Sequence, residues 1–201
     1  MTQFIHLLDL IGVAAFAATG ALVAGRKDMD LFGGVVLAFV TGIGGGTMRD
    51  LILDVPVTWL KQTDALMACI FGFVAVYLLL WRFHSVPKAT INLLDLLGLA
   101  LFTILGAQKT LAMGLSPAVA VMMGVLTGCG GGLIRDVLAN DVPMILTRGK
   151  LYATASLTGA IAFVLLYPYS LLAAISTSFA LTAIIRLGSL FRGWRLPHLP
   201  K

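Results

Sequence analysis

Apolar residues occur along this chain in long runs that short polar segments separate. The pattern predicts membrane spans near residues 4–24, 31–54, 63–82, 90–110, 117–140, 149–168 and 170–191. A run of about 20 residues crosses a hydrocarbon core of roughly 30 Å when it is helical. We therefore expect an all-α membrane protein of seven transmembrane helices, with residues 1–201 forming a single transmembrane domain.

Composition agrees with this pattern. Of the 201 residues, 59% are hydrophobic and 11% are charged, whereas soluble domains carry about 25% charged residues. The spans and short loops leave no room for a soluble catalytic domain. The chain has no glutamate, no paired histidines at metal-ligand spacing and no P-loop lysine after its glycines. We expect no enzyme activity and no cofactor.

The formal net charge of +5 reports orientation more than it reports a partner, so we expect no nucleic-acid role. Most basic residues fall on one side of the predicted spans, and the other side carries chiefly Lys61 and Lys109. The positive-inside rule therefore predicts an external N-terminus and a cytoplasmic C-terminus. The basic residues that set this orientation fall on one side of the predicted spans: Arg26, Lys27, Arg82, Lys88, Arg148, Lys150, Arg192, Arg195 and Lys201.

The chain also contains an internal repeat. Asp9 matches Asp95 at an offset of 86 residues (95 minus 9), and the same offset relates many later positions. The repeats cover about 5–84 and 90–169, with three spans each, and an odd number of spans makes the second repeat inverted relative to the first. The remaining helix, about 170–191, lies outside the duplication. The further matches are Gly12 with Gly98, Phe16 with Phe102, Gly20 with Gly106, Thr41 with Thr127, and Pro56 with Pro143 after one inserted residue.

A glycine triplet occurs in the middle helix of each repeat, within GIGGGTMRD (42–50) and GCGGGLIRD (128–136). Each glycine costs a helix about 1 kcal/mol relative to alanine, so we expect helices 2 and 5 to kink or unwind there and to line a polar path. Carbonyl groups freed in this way could bind a cation. Close helix packing is the alternative use of such small residues. The triplets are Gly44, Gly45, Gly46 and Gly130, Gly131, Gly132.

An Arg-Asp pair follows each triplet, as Arg49-Asp50 and Arg135-Asp136. Adjacent helical residues point about 100° apart, so we expect the arginines to find partners elsewhere. Depth in the membrane suggests Asp9 for Arg49 and Asp95 for Arg135. Snorkelling to the interface is the alternative.

Lys109 has no counterpart in the first repeat, where Val23 occupies the equivalent position. This asymmetric charge is a candidate for gating or for contact with an anionic lipid. Simple snorkelling explains a lysine near a helix end equally well. Arg186, in the seventh span, is expected to reach the cytoplasmic headgroups.

The duplicated GxGGGxxRD segments, each followed by Val-Pro at Val55-Pro56 and Val142-Pro143, resemble the bacterial branch of the trimeric intracellular cation channel (TRIC) family. That branch overlaps the family often labelled "glycine transporter", and the similarity covers residues 5 to 190. The resemblance implies a homotrimer with a pore in each protomer, built from spans 1, 2, 4 and 5, that conducts monovalent cations and mainly potassium. The short loops are typical of a prokaryotic protein, so the resemblance also implies the inner membrane.

Two functions follow from these features. In a channel, carbonyl groups of Gly44, Gly45, Gly130 and Gly131 would replace part of the hydration shell of potassium. In a secondary transporter, half-helix N-termini would hold the carboxylate of a small amino acid such as glycine. The inverted repeat suits both, and the resemblance favours the channel.

Overall fold

The chain forms a bundle of helices in a computed structural model that describes residues 2–83, 86–147 and 149–196. Arg148 and Lys201, two of the residues used to predict orientation, lie outside these ranges. Eight helices occur in the described residues: α1 (Thr2–Arg26), α2 (Leu31–Ile52), α3 (Thr58–Lys61), α4 (Asp64–Phe83), α5 (Lys88–Ala112), α6 (Pro117–Leu138), α7 (Tyr152–Leu166) and α8 (Leu171–Phe191).

Six of these helices are long and apolar enough to cross a membrane, namely α1, α2, α4, α5, α6 and α8. The seventh apolar helix, α7, has only 15 residues, although the sequence predicts a span over 149–168. The four-residue helix α3 follows α2 and was not expected. The prediction of an all-α membrane protein is confirmed, and α7 is shorter than predicted.

The ends of α2 and α6 are set by local chemistry. The Asp30 side chain accepts a hydrogen bond of 2.7 Å from the Gly33 amide at the start of α2, and Ser116 caps α6 in the same way. After each helix a residue adopts positive φ, Asp54 at 52° and Asn140 at 54°. Aspartate and asparagine tolerate this conformation better than most residues. Both helices therefore end two residues before repeat-equivalent positions, 54 and 140.

Small residues allow the helices to approach closely. A Cβ atom at Gly20 would lie 2.5 Å from the carbonyl oxygen of Leu37, where α1 meets α2. At the equivalent Gly106 it would lie 2.6 Å from the carbonyl oxygen of Met123, where α5 meets α6. The rings of Phe16 and Phe102 pack 5.4 Å apart where α1 meets α5. Packing contacts thus recur at the offset that relates the repeats.

Both glycine triplets lie inside continuous α-helices, α2 and α6. The expectation that these helices unwind is therefore wrong. Close packing of α2 against α6 stabilises the helical state here, because the absence of side chains lets the two backbones touch. A bend within the continuous helices stays a prediction.

Candidate functional site

The two triplets meet where α2 crosses α6. A Cβ atom at Gly45 would overlap the carbonyl oxygen of Thr127, and one at Gly131 would overlap the carbonyl oxygen of Thr41. The two contacts are related by the 86-residue offset. Gly45 and Gly131 are both buried, and they lie in the contact between helices α2 and α6.

The outer members of the triplets have different surroundings. Gly46 lines a small cavity of about 30 Å³ together with Asp9 and Phe102. Gly130 borders an apolar groove beside Met48. A Cβ atom at Gly132 would lie 2.9 Å from the Tyr152 hydroxyl. The structure therefore brings the triplets together, and Gly46 faces a space that it shares with the charged residue Asp9.

Two larger cavities open at opposite ends of α1 and α5. The first, which we call the Asp9 cavity, has a volume of about 630 Å³. The second, the Asp136 cavity, has a volume of about 650 Å³. The charged residues of the Asp9 cavity are Asp9, Arg49, Lys61, Asp64 and Lys109. Those of the Asp136 cavity are Arg26, Lys27, Lys88, Arg135, Asp136, Asp141 and Lys150.

Asp50 binds two of the cationic residues that line the Asp9 cavity, Arg49 and Lys109. Its Oδ1 atom accepts hydrogen bonds of 2.7 Å from Arg49 Nε and 2.8 Å from Lys109 Nζ. Lys109 also donates to the Thr58 hydroxyl at 3.2 Å. The Lys109 side chain keeps 31% of its surface exposed, whereas Asp50 keeps 1%. Lys109 therefore joins the end of α5 to the end of α2 and does not simply snorkel.

Asp9 lines the same cavity as Arg49, but the two form no ion pair within 4 Å in the described residues. The predicted pairing of Asp9 with Arg49 is wrong. Although adjacent helical residues point about 100° apart, the arginine side chain is long enough to fold back to the carboxylate of its neighbour Asp50. Asp9 remains half-buried on the cavity wall.

Arg135 binds two carboxylates and a hydroxyl group. Its Nη1 atom donates at 2.9 Å to Asp95 and at 2.9 Å to Thr19, while its Nη2 atom donates at 2.8 Å to Asp136. The side chains of Arg135 and Asp95 are 1% and 0% exposed. The predicted pair of Asp95 with Arg135 is confirmed. Arg135 also pairs with its neighbour, as Arg49 does.

Arg186 approaches this cluster from α8. Its side chain is fully buried, its Nη2 atom lies 3.8 Å from Asp95 Oδ2, and its guanidinium carbon lies 4.8 Å from the centre of the Tyr152 ring. The expectation that it reaches the headgroups is wrong, because α8 packs that face against α5 and α7. Periodicity did not identify which face of α8 is buried.

Each aspartate of the Arg-Asp pairs also holds the loop that follows its helix. Asp50 Oδ2 accepts hydrogen bonds from the Thr58 amide at 3.1 Å and from its hydroxyl at 2.9 Å. Asp136 Oδ2 accepts from the Met144 amide at 2.9 Å. Sequence reasoning missed Thr58 and Met144, although both follow their aspartate by eight residues. That shared spacing was the available signal.

Comparison with known proteins places these features in a family. A family model described as "Glycine transporter" matches residues 6–81 and again 92–168. The UPF0126 inner membrane protein YadS of Escherichia coli K12 is 41% identical, with 97% of this chain and 96% of that protein covered.

Two solved structures have closely similar folds. The TRIC trimeric intracellular cation channel orthologue from Rhodobacter sphaeroides gives a TM-score of 0.84 at 41% identity, with 94% of this chain and 98% of that chain covered. A prokaryotic TRIC channel crystallised in 0.5 M KCl gives a TM-score of 0.87 at 32% identity, with 98% of this chain and 100% of that chain covered.

Proposed function

Because the chain belongs to the glycine transporter family of membrane proteins, whose solved neighbours include TRIC cation channels, we propose that it conducts monovalent cations. Potassium is the expected main ion. The observation that carries the proposal is the pair of charged cavities at opposite ends of α1 and α5, one lined by Arg49 and the other by Arg135, the arginines that follow the two glycine triplets. A path for ions needs water-filled entrances on both sides of a short central barrier.

The central barrier consists of small residues and one aromatic pair. The crossing of α2 and α6 brings Gly45 and Gly131 against opposing backbone, and Phe16 packs against Phe102 nearby. Ile134 of α6 lies beside Gly44, and Met48 of α2 lies beside Gly130. Opening at the triplets is the proposed conducting transition. Potassium ligation by the carbonyl groups of Gly44, Gly45, Gly130 and Gly131 would require that opening, since a continuous helix uses its carbonyl groups internally.

The charged residues around the barrier set the potential that an ion meets. Asp9, Arg49 and Lys109 lie on one cavity, while Arg135 and Asp136 lie on the other. Lys109 is the proposed gating residue, because it binds Asp50 and faces the Asp9 cavity at the same time. A lysine exposed over 31% of its side chain can leave one carboxylate at a modest energetic cost.

The assembly and location follow from the same relatives. We propose a homotrimer in which each protomer has its own pore, in a prokaryotic inner membrane and in contact with its lipids. We propose an external N-terminus and a cytoplasmic C-terminus, which the cluster of basic residues on the side of the Asp136 cavity supports. Native mass measurement tests the trimer, and labelling of a cysteine introduced at Lys150 from each side of the membrane tests the orientation.

A secondary transporter of a small amino acid such as glycine is the second candidate. The closed crossing between two cavities favours it, since a carrier opens to one side at a time. Single-channel recording of the purified protein in planar bilayers under a potassium gradient separates the two. Unitary currents far above about 10³ charges per second, the upper range of ordinary turnover, support the channel. Glycine uptake without unitary currents would support the carrier.

A further inference from the structure

The two repeat-equivalent aspartates have different environments. Asp95 is completely buried, lies 2.9 Å from Arg135 and faces Arg186 at 3.8 Å. Asp9 lies on the wall of a cavity of about 630 Å³ and forms no ion pair within 4 Å among the residues that the structure describes. Equivalent positions in the sequence thus hold one carboxylate between two arginines and one carboxylate facing open space.

The difference arises from the second cationic residue of each charged group. The group around Arg49 includes Asp9, Asp50 and Lys109, so it contains two cationic residues and two carboxylates. The group around Arg135 includes Asp95, Asp136 and Arg186, with the same balance. Lys109, however, binds Asp50, whereas Arg186 faces Asp95. The second cation therefore pairs with the aspartate after the glycine triplet in the first group, and with the aspartate equivalent to Asp9 in the second group.

Arg186 comes from α8, which lies outside the predicted duplication, so the first repeat has no equivalent of it. Its Nε, Nη1 and Nη2 atoms, with Asp95 Oδ2 and the Tyr152 hydroxyl, have no hydrogen-bond partner within the described part of the chain. A buried guanidinium group is retained at high cost unless a counter-charge stabilises it. Asp95 is the carboxylate within 4 Å of Arg186 in the described ranges.

We propose that Arg186 is a positioning residue that holds Asp95 out of the ion path, so that Asp9 alone of the two equivalent aspartates presents a carboxylate to passing cations. The proposal rests on the proposed channel function. α8 thereby adds to the difference between the two ends of the path, where Lys109 already lies on one side only. A cation entering the Asp9 cavity meets an aspartate that it can approach, while one entering the Asp136 cavity meets Asp136 and not Asp95.

The test is single-channel recording of the full-length protein and of its variants in potassium chloride. Asp9→Asn is expected to lower the potassium conductance by about twofold or more at low ionic strength, where an unpaired charge acts most strongly. The neutral pair Asp95→Asn with Arg186→Met is expected to conduct as the parent does. Arg186→Lys keeps the charge and is also expected to conduct as the parent does.

Arg186→Met alone tests the electrostatic role through the ratio of inward to outward current. Loss of a purely structural contact would not change this ratio. It removes the cation that faces Asp95 Oδ2 at 3.8 Å, so the ratio of the currents at equal positive and negative voltages should shift away from the parental ratio. Addition of Asp95→Asn should restore the parental ratio. Arg192→Met, at the exposed end of the same helix, is the matched control and should leave that ratio unchanged.

Several outcomes would overturn the proposal. One is a loss of conductance in the neutral pair as large as that in Asp9→Asn. Another is a change of the current ratio in Arg186→Met that the addition of Asp95→Asn does not reverse. If the neutral pair does not assemble, Asp95→Asn with Arg186→Gln replaces it. Failure of both pairs to assemble would assign Arg186 to folding and would also overturn the proposal. Absence of any cation current in the parent would instead refute the channel function itself.

Discussion

The Lys109 ammonium lies 2.8 Å from the Asp50 carboxylate and joins the second repeat to the first. Asp50 already accepts from Arg49 and from Thr58, so its carboxylate collects donors from three elements at the mouth of the Asp9 cavity. Because Val23 stands where the other repeat would need a lysine, this junction exists on one side only.

Removal of the Lys109 charge should raise cation conductance. In Lys109→Met the Asp9 cavity loses one positive charge while Asp50 keeps Arg49, so potassium concentrates at that entrance. We expect an increase of about twofold at low salt that fades at high salt, where a Debye length of a few Å screens the charge. Unitary currents at several KCl concentrations measure this, with Lys109→Arg as the control. An increase of the same size at every concentration would contradict the electrostatic explanation.

The glycine crossing predicts opposite effects of alanine at adjacent positions. In Gly45→Ala the new methyl group overlaps the Thr127 carbonyl oxygen, and overpacking of this kind costs about 1–3 kcal/mol. In Gly46→Ala the nearest atom is Arg49 Nη2 at 3.9 Å, which is ordinary contact, and alanine favours the helix by about 1 kcal/mol. Thermal unfolding in detergent should show Gly45→Ala below the parent and Gly46→Ala at or above it. Equal behaviour would mean that α2 and α6 do not touch there.

The two equivalent arginines should differ in their importance for stability. Arg135→Met leaves both Asp95 and Asp136 without Arg135, and loss of one partner from a buried pair costs about 3–5 kcal/mol. Arg49→Met should cost less, because Asp50 keeps Lys109 and Thr58. The midpoints of thermal unfolding of the two variants make the comparison. A larger loss for Arg49→Met would show that Arg135 is not the more strongly coupled residue.

Asp136 should control the order of the loop after α6. In Asp136→Ala the Met144 amide loses its acceptor at 2.9 Å. A hydrogen bond to a charged group contributes about 1.5–3 kcal/mol, so exchange of this amide hydrogen should accelerate by roughly 10- to 100-fold. Hydrogen-exchange mass spectrometry detects this. The Ala139 amide, which donates to the Arg135 carbonyl, serves as the internal reference and should exchange at the parental rate.

Sequence reasoning found most spans because hydropathy and length constrain them strongly. The span expected at 90–110 is α5 (Lys88–Ala112), and the Asp95–Arg135 pair was predicted from depth alone. Prediction from the sequence failed where the length of a side chain or tertiary packing determines which partner a charged residue contacts. Arg49 folds back onto Asp50, and Arg186 is buried because α8 packs against α5 and α7. Neither the reach of an arginine nor the packed face of an isolated helix is encoded in periodicity.

Helix α7 has a consequence for the surrounding lipid. Its 15 residues rise by only about 22 Å, against a hydrocarbon thickness of roughly 30 Å. Leu157, Ile161 and Leu165 are exposed along one side of it, so acyl chains contact a helix that is too short for them. The bilayer must thin locally or its lipids must tilt there, at a cost for each Å of mismatch. Thermal stability should therefore rise as phosphatidylcholine acyl chains are shortened, and the same stability in short-chain and long-chain bilayers would show that α7 is shielded from lipid.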